Sequence, residues 1–137
     1  MPDSLSMQRD YPASPDRVFE AWTNVDLLRQ WFGCSPGMLW TVHEWDVRVG
    51  GAIHVSLQFD NGPFEVRGQF LVVEPPRHLR YRWWRDQVVD VTIDAHGAGS
   101  RLRLEHSGLA TDAECSFTNA GWTFALEQLS RLPVRAS

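Results

Sequence analysis

A chain of 137 residues has the length of one domain and is long enough to bury a core, and its 43% hydrophobic and 22% charged residues are ordinary for a globular protein. A net charge of -4 and a pI near 5.7 argue against a nucleic-acid partner, which needs a basic patch. No apolar run reaches the roughly eighteen residues of a membrane span, and the N-terminus has no signal-peptide core, so a cytoplasmic single domain over 1–137 is expected. Cys34 and Cys115 lie far apart without a pairing motif and are expected as reduced thiols.

In chain order, residues 5–11 read as a strand ended by Pro12. Ser14-Pro15 then starts a short helix, with serine as N-cap and proline at the first helical position, and Val18, Phe19 and Trp22 form its apolar side. A second helix follows, capped by Asn24, burying Leu27, Leu28, Trp31 and Phe32, and stopped by Gly33. From Leu39 onward the period changes to two. Over 42–49, His43, Trp45, Val47 and Val49 alternate with Glu44, Asp46 and Arg48, before Gly50-Gly51 turns the chain into Ile53, Val55, Leu57 and Phe59. Asp60-Asn61-Gly62-Pro63 reads as a turn, and 64–73 as a strand with Val66, Gly68, Phe70 and Val72 on one face. Strands then follow through Leu79, Tyr81 and Trp83, through Val89, Val91 and Ile93 after a turn near Asp86, and through Leu102, Leu104 and His106 after His96-Gly97-Ala98-Gly99.

The chain closes on an amphipathic helix over 111–132, with Cys115, Thr118, Trp122, Ala125, Leu126, Leu129 and Leu132 on one face and Pro133 ending it. Thr111 and Glu114 form a capping box. Such a helix has to lay its stripe across the sheet, since neither element can otherwise bury its apolar side. Gly121 within it predicts a close approach, by backbone or by a bound molecule. The other face of the meander carries Arg80, Arg82, Arg101 and Arg103 among Asp90, Asp94 and Glu105, which predicts a solvated surface with cross-strand ion pairs.

Strand, two short helices, about six strands in a meander and one long helix is the order of an α+β helix-grip fold. The segments Ser14-Pro-Asp-Arg-Val-Phe-Glu-Ala-Trp-Thr, Gln30-Trp-Phe-Gly, Asp46-Val-Arg-Val-Gly-Gly, Gly68-Gln-Phe-Leu-Val-Val-Glu-Pro-Pro-Arg-His-Leu, Ser100-Arg-Leu-Arg-Leu-Glu-His and Gly121-Trp resemble, in order and spacing, those of the START-like (SRPBCC) superfamily. Within it they resemble most the branch named after activators of a heat-shock chaperone ATPase, over about residues 8–132. The resemblance implies a cavity between sheet and long helix that holds a lipid, a polyketide or another hydrophobic molecule. It also implies that Arg48 holds a strand junction, with Asp46 as its ionic partner.

The candidate ligand-binding residues are Trp31, Phe32, Ile53, Val55, Phe70, Tyr81, Trp83, His106 and Trp122: aromatic and aliphatic walls with a few polar groups are what small-molecule pockets use. Each aromatic taken singly also reads as plain core, and seven tryptophans are enough to fill much of the space. His106 shares a face with Leu102 and Leu104, where it would orient a ligand or move protons, or would instead hydrogen-bond a backbone group before the long helix. No cofactor or metal is expected, since the five histidines show no clustered ligand spacing, and nucleotide-binding glycine loops and the Gly-x-Ser-x-Gly elbow are absent. Three functions follow: non-enzymatic binding of a small hydrophobic or aromatic molecule; a polyketide cyclase-like enzyme in which His106 or Tyr81 moves protons; and a partner of a chaperone ATPase or of a second copy. The eukaryotic activators carry an additional N-terminal domain, whereas this sequence starts almost directly with the grip domain, which sets the third reading behind the others.

Overall fold

The computed structural model describes residues 4–32, 40–59 and 62–131. Within them the chain runs β1 (Ser4–Tyr11), α1 (Pro15–Thr23), α2 (Val25–Trp31), β2 (Trp40–Trp45), β3 (Ala52–Phe59), β4 (Gly62–Glu74), β5 (His78–Arg82), β6 (Val88–His96), β7 (Gly99–Ser107) and α3 (Asp112–Ser130). Seven strands form one antiparallel sheet in the order β1-β7-β6-β5-β4-β3-β2, and α3 packs on α2 and β1, completing the helix-grip α+β fold. Because β1 and β2 are opposite edges, α1 and α2 carry the chain from one side of the sheet to the other. The expected helix stop at Gly33, the thiol of Cys34, the turn residues Asp60 and Asn61, and Leu132 and Pro133 lie outside the described residues. Among the described residues no helix is long and apolar enough to cross a membrane.

The helix starts follow from their caps. Ser14 Oγ accepts from Arg17 N at 3.4 Å with Pro15 behind it, and Asn24 Oδ1 accepts from Asp26 N and Leu27 N at 3.0 and 3.3 Å. At α3 the Thr111 hydroxyl accepts from Glu114 N, and Glu114 Oε1 accepts in return from Ala110 N, each at 3.0 Å. That return bond reaches one residue further back than a capping box requires.

Two β-bulges correct the simple alternation. Val42 pairs with Val55 and Glu44 with His54, so one residue is absorbed between them; Val42 and Trp45 both turn inward while His43 points out. The strand also stops at Trp45, leaving Val49 70% exposed in the following turn, where Arg48 Nε meets Asp46 Oδ2 at 2.8 Å. In β4 the shift between Phe70 and Val72 brings Val73, rather than Val72, against the core opposite Leu79. Bulges of this kind bend a strand and add twist, which gives the sheet curvature to grip a helix. Gly68 sits on the inner side between Val66 and Phe70, where a Cβ would collide with the Arg82 carbonyl oxygen, so glycine lets the end of β5 close onto β4.

The core is aromatic. Trp22 packs edge-on against Trp31 at 4.7 Å and stacks on Trp122 at 5.7 Å, while Phe32 touches Trp31, Trp40, Trp45, Trp83 and Trp122 at centroid distances of 5.4 to 5.8 Å. A helix leaves its last carbonyls without intrahelical partners, and two of those of α1 are taken by indoles: Trp31 Nε1 donates to Ala21 O and Trp45 Nε1 to Trp22 O, both at 2.9 Å. Tyr11 Oη donates to Leu126 O at 3.2 Å, tying β1 to α3. On the outer face Arg101 grips Asp10 at 2.9 and 3.2 Å, and Asp90 accepts from Arg80 at 2.9 Å, the ion-paired surface expected of that side.

Along α3, Gly121, Trp122, Ala125, Leu126 and Leu129 are buried, Cys115, Thr118 and Gln128 are half-buried, and Glu127 and Arg131 face water. Leu126→Ala, at a fully buried position, is expected to cost about 2–5 kcal/mol, whereas Val49→Ala should change stability by less than about 0.5 kcal/mol. Urea denaturation of the two variants beside wild type checks the helix face; equal effects would refute it.

Candidate ligand-binding site

The N-terminal half of α3 is mostly exposed and its C-terminal half buried, so the first turns overhang the sheet instead of lying on it. Beneath the overhang is a cleft of about 370 Å³. Its roof is a helical stripe at three-and-four spacing, Ala113, Glu114, Phe117, Thr118, Gly121, Trp122 and Ala125. Its floor and walls are Phe32 at the end of α2, Leu57 of β3, Phe64 of β4, Trp83, Trp84 and Gln87 of the β5–β6 turn, and His106 of β7.

Of the nine residues expected from the sequence, Phe32, Trp83, His106 and Trp122 are brought together here. Trp31, Ile53, Val55, Phe70 and Tyr81 are not: each is at most 2% exposed in the closed part of the core, which Trp22 and Trp45 fill. The Tyr81 ring sits among Trp45, Phe70 and Trp83 at 5.6 to 6.1 Å, its hydroxyl has no hydrogen-bond partner among the described residues, and burial pushes its pKa well up. Leu57, Phe64, Trp84, Gln87 and the first turns of α3 were not anticipated. Phe117, half exposed one turn before Gly121, lies at the rim of the cleft.

The polar part of the wall is a directed chain. An indole only donates, so Trp122 Nε1–H gives its hydrogen to His106 Nδ1 at 2.9 Å. With Nδ1 accepting, the neutral imidazole carries its proton on Nε2, which donates to Gln87 Oε1 at 2.7 Å. His106 therefore bonds two side chains rather than the backbone group expected from its position before the loop. Burial lowers its pKa to about 4, and Nδ1 cannot take a proton without losing the indole. Gln87 is 6% exposed, and its backbone is pinned in the turn by Trp83 N donating to its carbonyl at 2.8 Å and its own N–H donating to Trp84 O at 3.0 Å.

On the outer face of the sheet, three residues that sequence spacing did not group come together across strands: His43, His54 and Glu65 bring possible metal-ligand atoms within 4.8 Å of one another. The bulge in β2 is what turns His43 outward to meet them. His54 shares a hydrogen bond with Glu65 at 2.5 Å, while Ser56 joins His43 to Glu65 with contacts of 2.7 Å each. The His54 and Ser56 hydrogen bonds hold the Glu65 carboxyl below its ordinary pKa.

Because the native state lowers the His106 pKa, the unfolded chain binds this proton first as pH falls. Stability from this group is complete above about pH 6.5 and is lost down to about pH 4, a difference of about 3 kcal/mol. Glu65 and Asp10 are also lowered, but from 4.5 and 3.8, so their losses set in only at the bottom of that range and below it. A His106→Phe variant should therefore show a flatter decline in unfolding free energy from pH 6.5 to 4.5 than wild type. Parallel curves would mean that His106 is not held neutral.

Comparison with known proteins places the fold. A crystal structure of a protein from Chromobacterium violaceum superposes with a TM-score of 0.85 at 29% identity, covering 96% of this chain and 97% of that one. The CalU16 structure from Micromonospora echinospora gives a TM-score of 0.69 at 27% identity over 92% of this chain and 73% of that one. An AHSA1 protein from Silicibacter pomeroyi gives 0.79 at 23% identity over 93% and 94%. No curated protein matches the sequence. The family model described as activator of Hsp90 ATPase homolog 1-like protein matches residues 12–132, and the chain belongs to that family.

Proposed function

We propose that this protein is a cytoplasmic, single-domain binder of a small hydrophobic, aromatic molecule, held in the cleft under the overhanging half of α3 without chemical change. The observation that carries this reading is the cleft itself: a space of about 370 Å³, the size of a small-molecule site, walled by Phe32, Phe64, Trp83, Trp84, Phe117 and Trp122. Flat rings on several sides suit a flat ligand.

Against the cyclase-like alternative, neither proton carrier named for it is placed to act. Both His106 nitrogens are engaged, and the Tyr81 hydroxyl is in the closed core, away from the cleft. General acid–base catalysis needs a group within hydrogen-bond reach of substrate and a pKa near the working pH. The chaperone-partner alternative draws on the family description alone, whereas the cleft supports the binder.

Titration with naphthalene is expected to quench tryptophan fluorescence saturably, since Trp83, Trp84 and Trp122 line the site. Thr118→Trp, which fills the cleft from its roof, should weaken that binding at least about tenfold while the circular dichroism spectrum is unchanged. Absence of saturable quenching by naphthalene, and of any retained small molecule in native mass spectra of protein from its own host, would sink the reading.

A further inference from the structure

We propose that the cleft selects neutral aromatic molecules bearing a carbonyl oxygen, and that the Gln87 side-chain amide N–H is the group that reads it. This rests on the ligand-binding reading above and adds to it the class of ligand.

The argument runs from donors to acceptors. Trp122 can only donate, and its hydrogen bond fixes His106 Nδ1 as acceptor and Nε2–H as donor. That donor in turn requires oxygen, not nitrogen, from the Gln87 amide, at 2.7 Å. The orientation of Gln87 is thus set by an indole two links away. With Oε1 committed to His106, Gln87 Nε2 carries both hydrogens and makes no hydrogen bond among the described residues, although the residue is only 6% exposed and lines the cleft. That nitrogen is not among the closed-off polar atoms of the core, Trp22 Nε1 and Tyr81 Oη, so it opens on the cleft, where a ligand acceptor can take its hydrogen.

The charge of the wall decides which acceptor. Among the described residues Glu114 lines the cleft and no arginine does, the Arg85 guanidinium being engaged on the Trp84 ring, so a ligand carboxylate would meet an acidic side chain and no cation lining the cleft. A neutral carbonyl takes the amide hydrogen without that conflict, while the ring system to which it is attached lies against Trp83, Trp84 and Trp122. His106 and Trp122 act here as positioning residues: they hold the amide so that its nitrogen, and not its oxygen, is offered.

Three probes of nearly equal size separate the possibilities: acetylnaphthalene, ethylnaphthalene and naphthoate. In the wild-type protein acetylnaphthalene should bind about five- to tenfold more tightly than ethylnaphthalene, and naphthoate more weakly than both. In Gln87→Leu the ratio of ketone to hydrocarbon affinity should fall to about one, whichever way the two affinities move together, and in Gln87→Glu the ketone should bind more weakly than the hydrocarbon. An independent readout in the unmodified protein is the infrared stretch of an isotope-labelled carbonyl in bound acetylnaphthalene, which should lie below its value in hydrocarbon solvent. Equal affinities for ketone and hydrocarbon in the wild type, or a preference that survives Gln87→Leu, would overturn the assignment while leaving the cleft a binding site. Failure of all three probes to bind would instead bring down the binding reading, and this inference with it.

Discussion

Of the four indole N–H groups buried in the interior among the described residues, three find an acceptor, and the way they do so positions most of the molecule. Trp31 and Trp45 come from α2 and β2, yet both donate to the carbonyls that end α1. A helix and an edge strand are thereby locked to one helix terminus, which gains partners for groups that would otherwise be buried unpaired. Trp122 brings α3 into the same cluster, stacked on Trp22 and hydrogen-bonded to β7 through His106. The aromatic area supplies the driving force, and the N–H groups supply the geometry.

That geometry also produces the empty space. Trp122 is anchored at mid-helix, and from there to Leu129 α3 rests on α2 and β1. The turns before it carry glutamate, asparagine and serine and are mostly exposed. The same tryptophan therefore closes the core on one side and forms a wall of the cleft on the other. Its hydrogen bond makes a distinction of chemistry as well, since the proton arrangement of His106 and the orientation of Gln87 follow from it.

The fold was largely legible because its signals are local: Ser14-Pro15, Asn24 and Thr111 cap where they stand, and alternation through Leu79, Val89, Val91 and Leu102 places an inner face. The bulges were not, because a strand of unbroken alternation and one that absorbs a residue at His43 have the same letters; only the partner strand reveals the slip. For the site, alternation told that Ile53, Val55, Phe70 and Tyr81 face inward but not whether that inward side was filled. Trp22 and Trp45, from other parts of the chain, fill it. Gln87 lay hidden in a turn, where polar residues are ordinary, and its importance comes from a partner on a different strand and an indole on α3.

The edge position of β1 bears on how the chain is made. The strands β2 to β7 pair with their neighbours in order, so each hairpin of the meander can form as soon as its second strand leaves the ribosome. β1 is synthesised first but pairs only with β7, its register running from Ser4 opposite Ser107, about a hundred residues later. Throughout that interval the nascent chain carries an amphipathic strand, with Leu5 and Met7 on its inner side, and no edge to join. Closing that loop sets a late, long-range step in folding, and it leaves β1 exposed to other unpaired strands for longer than any later strand of the sheet.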